Sequence, residues 1–185
     1  MPLSSPIYII QEAMRLVESE RRSEIRHGAN GGNSILIVCE PIRELEYIIQ
    51  LKELLNDNRY SIIDLNQCLI EFVKQNELGL SELYDQLQST THEIFKAPPG
   101  EVSDDLFKRI INNIEQAFLA NTVPVLINTG SLYGTGIHNI HIMENEIVMR
   151  GALPLIILYP ATVEPERLMF LGKFPASQYR CMIIQ

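Results

Sequence analysis

The chain has 185 residues, 46% of them hydrophobic, enough to bury roughly 70% of the surface its unfolded form exposes, so one core and a single domain spanning 1–185 are expected. Its formal net charge of −8, from 23 acidic and 15 basic residues, excludes nucleic-acid binding by overall attraction, because a phosphate backbone is repelled unless cations gather on one face. No apolar run approaches the roughly 20 residues that span a bilayer, and Met1 to Met14 lacks the charged start and continuous apolar stretch of a signal peptide, so a cytoplasmic protein without membrane contact is expected.

In chain order, residues 1–27 read as an N-terminal helix. Ile7, Ile10, Met14, Leu16, Val17 and Ile25 recur at helical spacing over 6–26, behind Pro6. The basic residues Arg21, Arg22, Arg26 and His27 alternate with Glu18, Glu20 and Glu24, the pattern of a solvated face and not of a basic patch. Gly28, Gly31 and Gly32 stop the helix and make 28–34 a glycine-rich linker. "SILIVC" (Ser34 to Cys39) is a continuous apolar run, as a strand covered on both faces requires. Pro41 opens a helix to about Leu55, with Ile42, Leu45, Ile48, Ile49 and Leu55 along its expected buried side. A second strand, Tyr60 to Asn66, leads into a helix carrying Leu69, Phe72 and Val73, with Asn66 as its cap. Another helix is expected from Ser81 to Phe95.

The clearest helix is "SDDLFKRIINNIEQAFLAN". Ser103 is its candidate cap, Asp104 and Asp105 sit at the positive end of the helix dipole, and Leu106, Ile110, Ile114 and Ala117 or Phe118 form the buried stripe. It delivers the chain to a third strand, Val123 to Asn128. A helix from Ile137 to Ile147, a fourth strand from Leu153 to Tyr159 and a fifth from Arg180 to Gln185 complete the order. Between the last two, a proline-containing segment, Pro160 to Gln178, is expected to wrap one edge. Strands separated by helices of this length require crossover connections, so the expected fold is α/β: three layers around a mainly parallel sheet of about five strands.

Ligands of such sheets sit beyond the carboxyl ends of the strands. "CEPIRE", "DLNQ" and "NTGSLYGTG" occupy those ends. A Walker-type loop needs glycines and a lysine between strand and helix, and none of the three has them; "GANGGNS" has glycines, no lysine, and precedes its strand. Gly130, Gly134 and Gly136 are spaced GxxxGxG, unlike the dinucleotide fingerprint. Two readings of Asn128, Thr129, Gly130, Ser131, Tyr133, Gly134 and Gly136 stay open. Their N–H groups hold an anion, or the glycines simply make a sharp strand-to-helix turn, which is the plainer of the two.

Ser131 lacks the elbow of a hydrolase nucleophile and an assignable acid partner. His138, His141 and Glu144 are spaced i, i+3, i+6, without the i, i+4 histidine pair of zinc hydrolases. The three cysteines, Cys39, Cys68 and Cys181, are far apart in apolar segments and read as reduced core residues. No catalytic residue, metal or cofactor is assigned.

"GSLYG" (Gly130 to Gly134) after an apolar strand, "RGALPLIILYPA" (Arg150 to Ala161) and "RLMFLGKFPASQYRCMIIQ" at the end of the chain together resemble BrxB, component B of bacterial BREX anti-phage defence systems. That family shows a G-S-L-[FY]-G loop, a strand ending in F-[FY]-P-G and an aromatic-rich terminal strand. The likeness runs from Gly130 to Gln185, while the N-terminal half agrees only in size and order of elements. Ala161 stands where the family has glycine, and Gln178-Tyr179-Arg180 where it has a more aromatic triplet. The resemblance implies a non-catalytic adaptor with a degenerate NTPase-like fold, partnered by an alkaline-phosphatase-like protein, an AAA-type ATPase and a DNA methyltransferase. Tyr159 and Pro160 would join the 128–136 loop in the partner surface. The alternative is a nucleotide- or anion-binding regulatory protein using Gly130–Gly136.

Overall fold

Every residue of the run Ser34–Cys39 is buried, because helices cover both faces of the strand it forms. The structure is a computed structural model and describes residues 5–18, 22–86, 90–98, 100, 104–165, 167–176 and 180–185. Its elements are α1 (Pro6–Glu18), α2 (Arg22–Gly28), β1 (Ser34–Cys39), a 3-10 turn Pro41–Arg43, α3 (Glu44–Leu54), β2 (Tyr60–Asp64), α4 (Leu65–Gln75), α5 (Glu77–Gln86), a 3-10 turn Thr91–Ile94 and α6 (Leu106–Leu119). There follow β3 (Val123–Ile127), a 3-10 turn Thr129–Leu132, α7 (Asn139–Met143), α8 (Glu146–Arg150), β4 (Leu155–Glu164), β5 (Arg167–Phe170), β6 (Phe174–Pro175) and β7 (Met182–Ile184).

Five strands run parallel in the order β2-β3-β4-β1-β7. Ser34 stands opposite Leu155 on one side of the sheet's centre, and Tyr60 opposite Val123 at its edge. Side-chain alternation along the strands divides the core in two. Ile35, Ile37 and Cys39 of β1, with Val125 and Ile127 of β3, face Ile9, Ile10 and Ala13 of α1 and Ile48 and Leu51 of α3. Leu36 and Val38, with Ile157 and Tyr159 of β4, face Leu65 and Phe72 of α4, Ile110 and Ile114 of α6 and Ile142 of α7. The result is one three-layer α/β domain built on a mainly parallel sheet. Among the described residues no helix is long and apolar enough to cross a membrane.

The glycine-rich linker is a packing device. A Cβ at Gly32 would lie 1.9 Å from the Arg180 carbonyl oxygen, so only glycine lets the approach to β1 run against the approach to β7. Next to it, the buried Asn33 amide donates to the carbonyls of Val148, Gly151 and Leu153, tying the start of β1 to the connection between α8 and β4.

Several expectations are corrected. Within the expected N-terminal helix the described residues form α1 and α2, and 19–21 lie outside them. The helix after Pro41 begins as a 3-10 turn and carries two apolar stripes, of which packing against the sheet buries one. Its buried residues are Tyr47, Ile48, Leu51 and Leu55, while Ile42, Leu45 and Ile49 face outward. Val73 of α4 is exposed, and the α4 cap is Asp64, not Asn66: its carboxylate accepts from the N–H groups of Asn66 and Gln67. α6 is capped by Asp105, which accepts from Lys108 N–H; Ser103 lies outside the described residues, as do Glu20, Arg21 and Gln178-Tyr179. The helix expected over Ser81–Phe95 is α5 followed by a separate 3-10 turn. The helix expected over Ile137–Ile147 is α7 and α8, broken where Asn145 caps the second by accepting from Ile147 N–H.

The largest correction concerns Tyr159 and Pro160. They are not in a loop: β4 continues through them to Glu164 and turns back as β5 and β6, with Ala161 paired to Phe170 and Phe170 to Phe174 in antiparallel register. The segment after Pro160 therefore does not wrap an edge of the sheet. It extends the central strand beyond the carboxyl ends of its neighbours as an antiparallel flap.

Candidate functional site

At the carboxyl end of β3 the chain enters the left-handed region, with Asn128 at φ 59 and ψ 39, a conformation asparagine tolerates better than most residues. The Asn128 side chain donates to Asp64 Oδ1 at 2.8 Å, joining the end of β3 to the start of α4. Its carbonyl accepts from both the N–H and the hydroxyl of Ser131. The Ser131 hydroxyl thus holds a turn and does not face a histidine base. Thr129 is buried and donates to the Leu158 carbonyl at 3.1 Å, and Gly130 packs beside Leu171. This half of the loop braces the strand ends.

The second half opens into a cleft. Its floor consists of the buried residues Leu132, Ile137, Asn139 and Tyr159, and its rim includes the exposed Tyr133, Gly134, His138 and Phe174; the volume is about 520 Å³. One wall is the Tyr133–Ile140 turn, the other the β5–β6 flap. One ring pair joins the two walls, and a second joins the floor to the flap. Tyr133 stacks on Phe174 with centroids 4.7 Å apart, and Tyr159 stacks on Phe170 at 4.9 Å. Both glycines of the turn have positive φ, +85 at Gly134 and +72 at Gly136. A Cβ at Gly136 would also approach His92 Cβ to 2.9 Å.

Of the residues singled out in the sequence, Tyr133, Gly134, Gly136 and Tyr159 line this cleft, whereas Asn128, Thr129, Gly130, Ser131 and Pro160 do not. Phe170, Phe174 and Asn139 were missed. A hairpin signal was available in "FLGKF", where Leu171 and Gly172 take φ of 53 and 68 between two aromatic residues that pair across the strands.

Behind the turn, His141 Nδ1 accepts from His138 N–H at 3.1 Å and lies 3.0 Å from Lys96 Nζ. With two donors on Nδ1, the neutral ring carries its proton on Nε2. Burial, Lys96 and His138 push the His141 pKa below the usual histidine value, and burial lowers Lys96 as well. His138, His141 and Glu144 do not share a continuous helix face, since α7 ends at Met143 and Glu144 is directed to Arg180 at 3.9 Å. No group of three or more metal-ligating side chains forms among the described residues.

Near β1 and β2 the same edge is acidic. Glu44 is raised above the usual carboxylate value by burial and by Asp64, and its Oε1 has no hydrogen-bond partner. Burial and the Glu44 charge push the Cys39 thiol up to about 12, which leaves it protonated and unreactive.

Fold and edge together define an open-sheet α/β protein whose carboxyl edge carries an aromatic cleft on one side and an acidic, apolar shoulder on the other. No family model matches the chain, and the comparisons with curated proteins and with solved structures found no match either.

Proposed function

We propose that the chain is a non-catalytic adaptor of the BrxB type, which holds other components of a BREX-like anti-phage defence system against the carboxyl edge of its sheet. The observation that carries this reading is an outward apolar ridge. Ile42, Leu45 and Ile49 are 89%, 68% and 47% exposed and lie three and four residues apart, so they share one face of the turn and helix that follow β1. Three large aliphatic side chains in a row, beside a ligand edge, are what a protein interface uses and what an isolated monomer avoids.

The chemistry of the edge supports the same reading. The Ser131 hydroxyl is committed to a turn, and the carboxylates Glu44 and Asp64 stand where a nucleotide enzyme of this architecture would place phosphate-binding groups. A nucleotide- or anion-binding regulator using Gly130–Gly136 is the weaker reading. Among the described residues lining the cleft there is no lysine or arginine, and phosphate recognition rests on such cations and on helix starts.

Co-expression of the tagged chain with the alkaline-phosphatase-like protein and the AAA-type ATPase, followed by affinity capture, tests the adaptor reading. At least one of the two is expected in the eluate in stoichiometric amount. Capture of neither contradicts the reading.

A further inference from the structure

We infer that the cleft between the Tyr133–Ile140 turn and the β5–β6 flap binds a neutral purine nucleoside, with adenosine the best of the common bases. The proposal is independent of the adaptor reading and stands on three observations. The first is place and size. The cleft opens at the carboxyl end of β3, beside the prolongation of β4, where ligands of parallel sheets sit, and its volume of about 520 Å³ lies within the range of small-molecule sites.

The second is the lining. Tyr159 on the floor and Tyr133, Phe174 and Phe170 on the walls are ring faces in two stacked pairs. Tyr133 is 61% and Phe174 37% exposed, so this rim pair can part and take a flat ring between or beneath its members. Such faces favour a planar heteroaromatic ring over an aliphatic chain.

The third is an orphaned acceptor. Asn139 is 4% exposed and lines the cleft, and its Oδ1, closed to solvent, has no hydrogen-bond partner, so a ligand meets it only once the Tyr133–Phe174 rim has parted. A buried acceptor left unpaired is costly in a folded protein, and a ligand N–H removes that cost. An asparagine amide pairs with adenine by accepting from the exocyclic amino group while donating to N7. The absence of lysine and arginine among the described lining residues makes the occupant the nucleoside and not its phosphate.

The test is titration calorimetry of the whole chain with adenosine, purine riboside, AMP, guanosine, uridine and N-acetyltryptophanamide. Adenosine is expected to bind with a dissociation constant below 1 mM, at least ten-fold tighter than purine riboside, which lacks the amino group. AMP is expected to bind no tighter than adenosine. Tyr133→Ala and Phe174→Ala, both at the exposed rim, should weaken adenosine at least ten-fold with unchanged melting temperature. In Asn139→Ala the preference for adenosine over purine riboside should vanish; if that variant does not fold, the comparison on the unmodified chain still decides. A flat trace with adenosine at 5 mM, tighter binding of AMP or of the indole probe, or full affinity in both rim variants would overturn the proposal.

Discussion

The Asn33 side-chain nitrogen lies 2.9 Å from the Val148 carbonyl oxygen, 3.0 Å from that of Gly151 and 2.9 Å from that of Leu153. Two N–H groups are shared among three acceptors, of which the Gly151 carbonyl also accepts from Arg26 at 3.0 Å and the Val148 carbonyl from Gly151 N–H at 3.2 Å. Asn33→Leu is therefore expected to cost about 2 kcal/mol, read from urea unfolding, because it removes two buried N–H bonds and takes the donor from the Leu153 carbonyl, while Gly151 keeps Arg26 and Val148 keeps the Gly151 N–H. Glu44 is the opposite case. Its folded pKa is raised from the ordinary carboxylate value of 4.5 by burial and Asp64, so its contribution is fully present below pH 4.5 and is lost as pH rises through the folded value. Glu44→Gln should accordingly stabilise the protein at pH 7, by on the order of 1 kcal/mol, and give no gain at pH 4. Neither residue was legible in the sequence. Asn33 lay in the glycine-rich linker, and nothing in the sequence set Glu44 apart from the other acidic residues. What distinguishes them is a partner more than a hundred residues away or the lack of one.

The five parallel strands and α6 were readable because local composition decides them. The continuous run Ser34–Cys39 became β1 with its expected bounds, and Leu106, Ile110, Ile114 and Ala117 form the buried stripe of α6. The helix after Pro41 was misread for a physical reason. It carries two apolar stripes, and only packing against the sheet selects Ile48, Leu51 and Leu55 over Ile42, Leu45 and Ile49. At α6, Asp105 caps the helix through Lys108 N–H and also accepts from Ala97 N–H at 2.7 Å. Asp105→Ala should thus cost about 2 kcal/mol, more than a simple cap, as measured by denaturant unfolding.

The α7 start adds a pH dependence. The groups facing His141 are His138 on its own turn, Lys96 from the segment after Thr91–Ile94, which Asp105 in turn favours in its charged form, and the Phe107 ring from α6. Because the folded His141 pKa is lowered from 6.5, the unfolded chain binds the proton more tightly. Stability from this group is present above pH 6.5 and falls as pH drops through the folded value. The unfolding midpoint should decline between pH 7 and pH 5, and decline less in His141→Gln, which keeps an acceptor for His138 N–H without a titratable ring.

For the whole molecule, the three-layer α/β class follows from the alternation of apolar runs with helical ones, while the site depends on topology. The order β2-β3-β4-β1-β7 brings the β3 loop beside the prolongation of β4, and only then does the flap after Pro160 meet Tyr133. The glycine turn was visible in the sequence only as a sharp turn or an anion site; the second wall of the cleft was hidden in a segment whose prolines suggested irregular chain. The acidic shoulder and the apolar ridge likewise acquire meaning only when β1 and β2 end on the same edge.

The adaptor account rests on Ile42 and Leu45 being buried by a partner, so the most direct measurement compares the chain with its Ile42→Glu/Leu45→Glu variant. Binding of each to the purified alkaline-phosphatase-like component and to the ATPase is followed by biolayer interferometry. Loss of two central aliphatic contacts should weaken binding at least a hundred-fold, while the melting temperature stays within about 2 °C, since exposed positions contribute little to folding. Equal affinity of the two proteins, or no binding of either component by the unmodified chain, would contradict it.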